Sequence, residues 1–373
     1  MEAQKRLKSL DLLRGFDLFL LIMFQPIMLV LLNHLHSKIP VLFPTLFDHV
    51  TWKGVGFWDL IMPLFMFMSG ITIPFAMSRY KSGGEKTDRH FYFHLFKRFF
   101  ILFFMGWIVQ GNLLCLDIHQ FAIFSNTLQA IAVGYVVAAI LYVKLPLSGQ
   151  VGFAAFFFLL YLIIFATFGK MDYSSGTNIA EQIDRCVLGR FRAGMSWEGG
   201  VVVNLWPRYH YTWVLSSLNF IVTVMLGSFA GYALKFGDSP KKRLKVLCIT
   251  GVVLIVAALA MSPVFPIIKH IWSSSMTLFY GGVCFLLMAL FYYVVDVKEF
   301  TGGIEWLKYF GMNSLVAYCI SEVVSFRSIS NSLFFGLEQY MGEFYPLVGV
   351  CFQAIMTLLI VKWLYDCHIF IKA

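Results

Sequence analysis

The sequence predicts an all-α, polytopic integral membrane protein of about ten transmembrane helices, with both termini on the cytoplasmic side. Three observations lead there. Hydrophobic residues fill 59% of the 373 positions and charged residues only 13%, about half the charged share of a soluble domain. Apolar runs recur at about 20 residues, the length of helix that crosses hydrocarbon. Lys and Arg divide 20 to 9 between alternate connections, as expected for cytoplasmic and extracytoplasmic segments. The same arithmetic excludes a soluble globular enzyme, a disordered chain and a disulfide-rich secreted scaffold. The runs are too long for barrel strands. The formal charge of +9 is then a matter of topology, and no nucleic-acid partner is expected.

The spans are placed at 10–32, 56–77, 96–114, 126–143, 151–168, 213–234, 244–261, 273–295, 306–325 and 346–366. The first contains Asp11, Arg14 and Asp17 with no small-residue cleavage site after it, so it is read as a retained span rather than a signal peptide. In the second, Pro63 should kink the helix and Gly70 should permit close packing. SGGEKTD, LPLSG, GDSPKK and FTGG punctuate later boundaries. The dense clusters Lys97-Arg98 and Lys241-Lys242-Arg243-Lys245 fall on the cytoplasmic side. Residues 1–373 read as a single transmembrane domain, with 169–212 an extracytoplasmic loop within it.

Ionisable groups inside an apolar span are expensive and therefore candidates for function. Asp11, Arg14 and Asp17 recur every three residues on one helical face, so Arg14 could pair with both acids or form an anion site at the inner mouth of a cavity. Asp59 is the one acid of the second span; structural pairing and function both remain open for it. His49 lies in FDHVTWKGVGFWD, beside Asp48 and flanked by Trp52 and Trp58. Imidazole titrates near neutrality and can serve as base or acyl acceptor, although a lone histidine is more often without a chemical role. Trp197, Trp206, Tyr209, Tyr211 and Trp213 form either an interfacial aromatic belt or a stacking platform for a sugar. The seven cysteines show no metal spacing, no metal is expected, and a Cys115–Cys186 bridge is left open. No Ser-His-Asp order, Walker loop or HExxH is present.

SLDLLRGFDLFLLIMF and HVTWKGVGFWDLIMPLFMFMSG, followed by LQAIAVGY (128–135), TVMLGSFAG (223–231), PIIKHIWSSS (266–275) and FGMNS (310–314), run in an order that resembles the transmembrane acetyltransferases typified by the lysosomal heparan-α-glucosaminide N-acetyltransferase. The resemblance implies transfer of acetyl from cytoplasmic acetyl-CoA, as co-substrate, to the amine of a terminal glucosamine across the lipid bilayer. It places the catalytic histidine at His49, the intramembrane Asp at Asp59 and the Asn of the GMNS motif at Asn313. Basic residues toward CoA fall on Arg6, Lys8, Arg14 and Arg98. Gln25 stands where the family has Asn, and with Asn313 is a candidate to hold the thioester oxygen or orient His49. Ala130 replaces an Arg, and His210-Tyr211-Thr212-Trp213 replaces Asp-Pro-Glu-Gly, so the donor half is better preserved than the acceptor half. Trp52, Trp206, His210 and Trp213 are the acceptor candidates. An amino-sugar transporter and an O-acetyltransferase of an envelope polysaccharide are the alternatives. Gly and Ser positions leave a homodimer open, and the lack of a glycosylation sequon fits a bacterial inner membrane.

Overall fold

The computed structural model describes residues 7–35, 50–81, 85–109, 113, 116–118, 121–193, 195–198, 201–204 and 211–371. Among them, nine helical stretches are long and apolar enough to cross a membrane, by length and composition. In order, the elements begin with α1 (Lys8–Leu32), α2 (Phe57–Tyr80), α3 (Glu85–Val109), α4 (Thr127–Lys144) and α5 (Leu147–Thr167). A short helix α6 (Ile179–Leu188) and an antiparallel hairpin of β1 (Met195–Glu198) and β2 (Val201–Asn204) follow. The chain continues with α7 (Ser216–Phe236), α8 (Pro240–Met261) and α9 (Ser274–Val297). It then forms α10 (Leu307–Met312), α11 (Ser314–Val323), α12 (Phe326–Phe334) and α13 (Tyr345–Asp366).

Two expectations need correction. The ninth span, read as continuous over 306–325, breaks into α10 and α11 at Asn313, whose φ of −119° and ψ of 41° leave the helical region. Pro63 lies in the first turn after a 3₁₀ entry at Phe57–Leu60, where its missing N–H costs no helix hydrogen bond; the proline inside the helix is Pro74. The all-α polytopic class holds, and the 169–212 segment contains α6 and one short hairpin. A Val201-Val202-Val203 run beyond Gly199-Gly200 suits such a hairpin. Cys186 is an exposed free thiol, and Cys115 lies outside the described residues.

Helix ends follow local chemistry. Asn126 and Gln129 form a reciprocal capping box at α4. Asn178 accepts the Glu181 N–H at 3.0 Å to start α6, and Ser239 with Pro240 at the first position starts α8. Within α1, Leu20–Phe24 wind as a π-turn, closed by the Gln25 N–H donating to the Leu20 carbonyl.

The chain divides into two compact units, Met1–Val50 with Gly56–Ile61 and Leu287–Ala373, and Thr51–Val55 with Met62–Leu286. In the first, α1 lies backbone to backbone on α10. A Cβ added at Gly15 would sit 1.9 Å from the Leu307 carbonyl oxygen, and one at Gly311 would sit 1.8 Å from that of Asp11. Leu12, Val295 and Leu307 pack the adjoining core. In the second unit, α2 and α7 meet in the same way, with Gly70 against Val224 and Gly227 against Phe67; the close packing expected of Gly70 is present. Small residues let backbones approach where lipid offers no hydrophobic drive for association.

Candidate functional site

His49, Arg6, Trp206 and His210 lie outside the described residues. The segment that leaves His49 is described from Val50 onward, and Trp52 anchors it. Its indole N–H donates to the Tyr173 carbonyl at 2.7 Å, and its ring stacks on His270 at 5.2 Å and 18°. Lys53 pairs antiparallel with Ile268, and the Gly54 N–H donates to the Ile267 carbonyl at 2.9 Å. Gly54 has φ of +138°, a conformation that excludes side chains and accounts for glycine in the Trp-x-Gly sequence. One face of the Trp52 ring therefore lies against His270.

Trp213 is likewise no open platform. It is buried at 4% exposure with its ring stacked on Phe124 at 4.8 Å. Its indole N–H finds no acceptor among the described residues, and an unmet buried donor costs about 1–3 kcal/mol. What Trp213 offers a ligand is therefore its edge. Its backbone N–H and that of Val214 both donate to the Asp184 carboxylate, at 2.7 and 2.9 Å. Burial pushes the Asp184 pKa up to about 6, against the lowering effect of those two hydrogen bonds. On the same loop layer, hydrogen bonds from Thr177 and Ser174 hold the Asp172 carboxyl below its ordinary value.

In the first unit, Lys8 is exposed and Arg14 is half-buried, while the Ser9 N–H donates to Asp296 at the end of α9 at 3.3 Å. Asp11 and Asp17 are buried. Neither Asp17 oxygen has a hydrogen-bond partner among the described residues, so the expected bridge of Arg14 to both acids does not form. Gln25 follows the π-turn, and Asp59 is buried at the start of α2. Their neighbours Phe24 and Trp58 pack ring to ring at 5.7 Å, bringing these two segments together. Asn313 is fully buried and its amide is engaged: Nδ2 donates to the Ile369 carbonyl at 3.0 Å, and Oδ1 accepts the Ile371 N–H at 3.1 Å. It anchors the segment after α13, which leaves one amide hydrogen for any other partner.

Arg98, half-buried in α3, lies over the Tyr135 ring of α4 at 3.9 Å. Its Nε and the Tyr135 hydroxyl are both buried without hydrogen-bond partners, and no carboxylate pairs with it among the described residues. Arg79, Lys81, Lys144 and Lys235 cluster where α2, α4 and α7 end. There Lys235 donates to the Pro74 carbonyl at 2.7 Å and to the Ser78 hydroxyl at 2.5 Å, and Lys144 pairs with Asp88 at 2.6 Å. Two contributors were missed in the sequence. Tyr135 lay inside the quoted LQAIAVGY and His270 inside PIIKHIWSSS, but neither carried a signal beyond being a polar group in an apolar setting.

A family model described as heparan-alpha-glucosaminide N-acetyltransferase, catalytic, matches residues 6–182. The heparan-alpha-glucosaminide N-acetyltransferase of Homo sapiens is 26% identical over 372 residues, covering 85% of this chain and 53% of the human protein. The Mus musculus protein of the same name is 25% identical over 370 residues, covering 86% of this chain and 54% of its own length. The chain thus spans about half the length of the curated relatives it matches. The resemblance read from the sequence is borne out.

Proposed function

We propose that the chain is a transmembrane acetyltransferase of a bacterial inner membrane, moving acetyl from cytoplasmic acetyl-CoA to the amine of a terminal glucosamine-like sugar on the opposite side. The observation that carries this reading is Arg98. A guanidinium held in the apolar part of a span, with a buried N–H and no carboxylate partner among the described residues, calls for an anion, and a CoA phosphate supplies one. Lys8 and Arg14 are further candidates for the phosphates, with Arg6. For the other half, α2 runs 24 residues from Phe57 to the basic end at Tyr80. That is about 36 Å of helix, long enough to separate donor entry from acceptor.

The chemistry then needs little beyond a base and a polar cradle. A sugar ammonium gives its proton to the His49 imidazole, and the free amine attacks the thioester carbonyl. The C–N bond forms, the C–S bond breaks, and CoA leaves as a thiolate that takes up the proton shed by the newly acylated nitrogen. Gln25 and Asn313, the latter through its one remaining amide hydrogen, are the candidates to hold the thioester oxygen or orient His49. The Trp213 indole N–H is a donor for an acceptor hydroxyl or ring oxygen.

The test is purified protein given labelled acetyl-CoA with glucosamine or with an N-blocked sugar. Label on glucosamine alone is the expected result. Label on the N-blocked sugar would mean hydroxyl transfer, and failure to bind acetyl-CoA would favour a transporter. His49→Ala should lower turnover about 10²–10⁴-fold while CoA binding persists; wild-type turnover in that variant would reject His49 as the base.

A further inference from the structure

Three buried polar atoms in the loop layer before α7 have nothing to bond. Glu181 of α6, Arg192 and Trp213 are exposed by only 1%, 5% and 4%. Glu181 Oε2, Arg192 Nη1 and Trp213 Nε1 have no hydrogen-bond partner among the described residues. Buried polar groups are normally satisfied, so three unmet in one layer call for an occupant.

Their side chains border one region. Asp184 lies one turn after Glu181 on the same face of α6, and its oxygens hold the backbone N–H groups of Trp213 and Val214. The Trp213 ring stacks on Phe124. Phe124 is bridged through its backbone to Arg192, and the Ile123 N–H donates to the Phe191 carbonyl at 3.0 Å. Glu181 and Asp184 both act on the charge of Arg192, yet neither closes an ion pair with it among the described residues. Buried opposite charges pair unless something stands between them. Gln182 and Arg185 of α6 are exposed, so this gap lies one layer beneath the surface.

Glu181 Oε1 is already taken, by the Gly176 N–H at 3.0 Å and Asn178 Nδ2 at 3.1 Å, and Arg185 stands 3.7 Å from Oε2, beyond hydrogen-bond distance. The gap therefore offers one carboxylate acceptor and two N–H donors. Arg185 and Arg192 stand against Glu181 and Asp184, a near balance of charge that disfavours a phosphate or other anion. A hydroxyl fits, because it donates to a carboxylate and accepts from an N–H. Neighbouring hydroxyls on a sugar ring do both at once.

We infer that Glu181, Arg192 and Trp213 bind neighbouring hydroxyl groups of a sugar, with Asp184 positioning Trp213 through its backbone. The inference rests on the transferase reading and deepens it by naming an acceptor subsite. That subsite lies where α4 and α7 begin, opposite their basic ends at Lys144 and Lys235.

The test measures binding of tritiated glucosamine to full-length protein in detergent, alongside turnover. Glucose, which keeps the hydroxyls and lacks the amine, should compete; cyclohexylamine, an amine on a bare ring, should not. Glu181→Gln and Arg192→Gln should each weaken glucosamine binding about 10–100-fold, as for a charged hydrogen bond. Trp213→Phe keeps a ring on Phe124 and removes the N–H, and should weaken it about 3–10-fold. The KM for glucosamine should rise by like factors, with the KM for acetyl-CoA within about twofold. Wild-type glucosamine affinity in any of the three variants would overturn the subsite. So would competition by cyclohexylamine in place of glucose, or a wild-type protein that binds no sugar, which would leave ordered water in the gap. If sugar binds as described and no acetyl is transferred, the subsite stands and the transferase reading falls. Should a charge variant not fold, Trp213→Phe decides the matter.

Discussion

The seam between α1 and α10 and the turn at 266–273 are both tightly specified, by opposite means. The seam is defined by missing side chains: at Gly15 and Gly311 each backbone occupies the space a Cβ would need. The turn is defined by an excess of polar partners, with three successive carbonyls taken by groups from α5, from α7 and from Thr212 just before it. Between apolar helices, close approach and dispersion are the available forces. At the loop end, backbone groups leave regular structure and each must be satisfied. A steric seam should therefore fail abruptly, whereas a redundant polar turn should lose stability by degrees.

Gly311→Ala tests the abrupt case. The new Cβ would stand 1.8 Å from the Asp11 carbonyl oxygen, so the two backbones must part. A loss above about 3 kcal/mol, or no folded protein, is expected. Gly152→Ala in α5, with nothing within 4 Å of the new atom, should be neutral or gain up to about 1 kcal/mol of helix propensity. Thermal unfolding of both in detergent compares them directly, and equal effects would dissolve the contrast. Asn313→Ala comes next. It frees the Ile369 carbonyl and the Ile371 N–H, for about 2–6 kcal/mol at 1–3 per orphaned group. Hydrogen exchange should rise first at 369–371.

A smaller effect than the loss at Asn313 belongs to the loop layer and is read through pH. Asp184 has its pKa raised to about 6 from an ordinary 3.8. The folded chain holds this proton more tightly than the unfolded one, so the group's contribution is most favourable below the unfolded value and is lost as pH rises through about 6. Asp184→Asn lacks that dependence. Its stability relative to the wild type should improve by on the order of 2 kcal/mol between pH 4 and pH 7. A parallel pair of stability-against-pH curves would show that the buried carboxyl is not perturbed.

The spans were legible because hydropathy and breakers mark them without ambiguity; α4 and α5 part within LPLSG as read. The break at Asn313 was not, because apolar residues continue on both sides and hydropathy does not register a single amide pulled toward 369–371. The three-residue spacing of Asp11, Arg14 and Asp17 predicted a shared face, and side-chain geometry then left Asp17 unbridged. The tryptophans were read as an interfacial belt or a stacking platform, and Trp52 and Trp213 lie against His270 and Phe124, partners 218 and 89 positions away. Stacking across such separations has no local periodicity to reveal it.

The wide turn at Leu20–Phe24 has a consequence of its own. It inserts one residue beyond the regular repeat, so the angular phase of the first helix differs before and after it by about 100°. Arg14 and Gln25 are thereby addressed to directions that an uninterrupted helix would not give them. A one-residue deletion within that stretch would leave every functional group in the chain and aim Gln25 somewhere else.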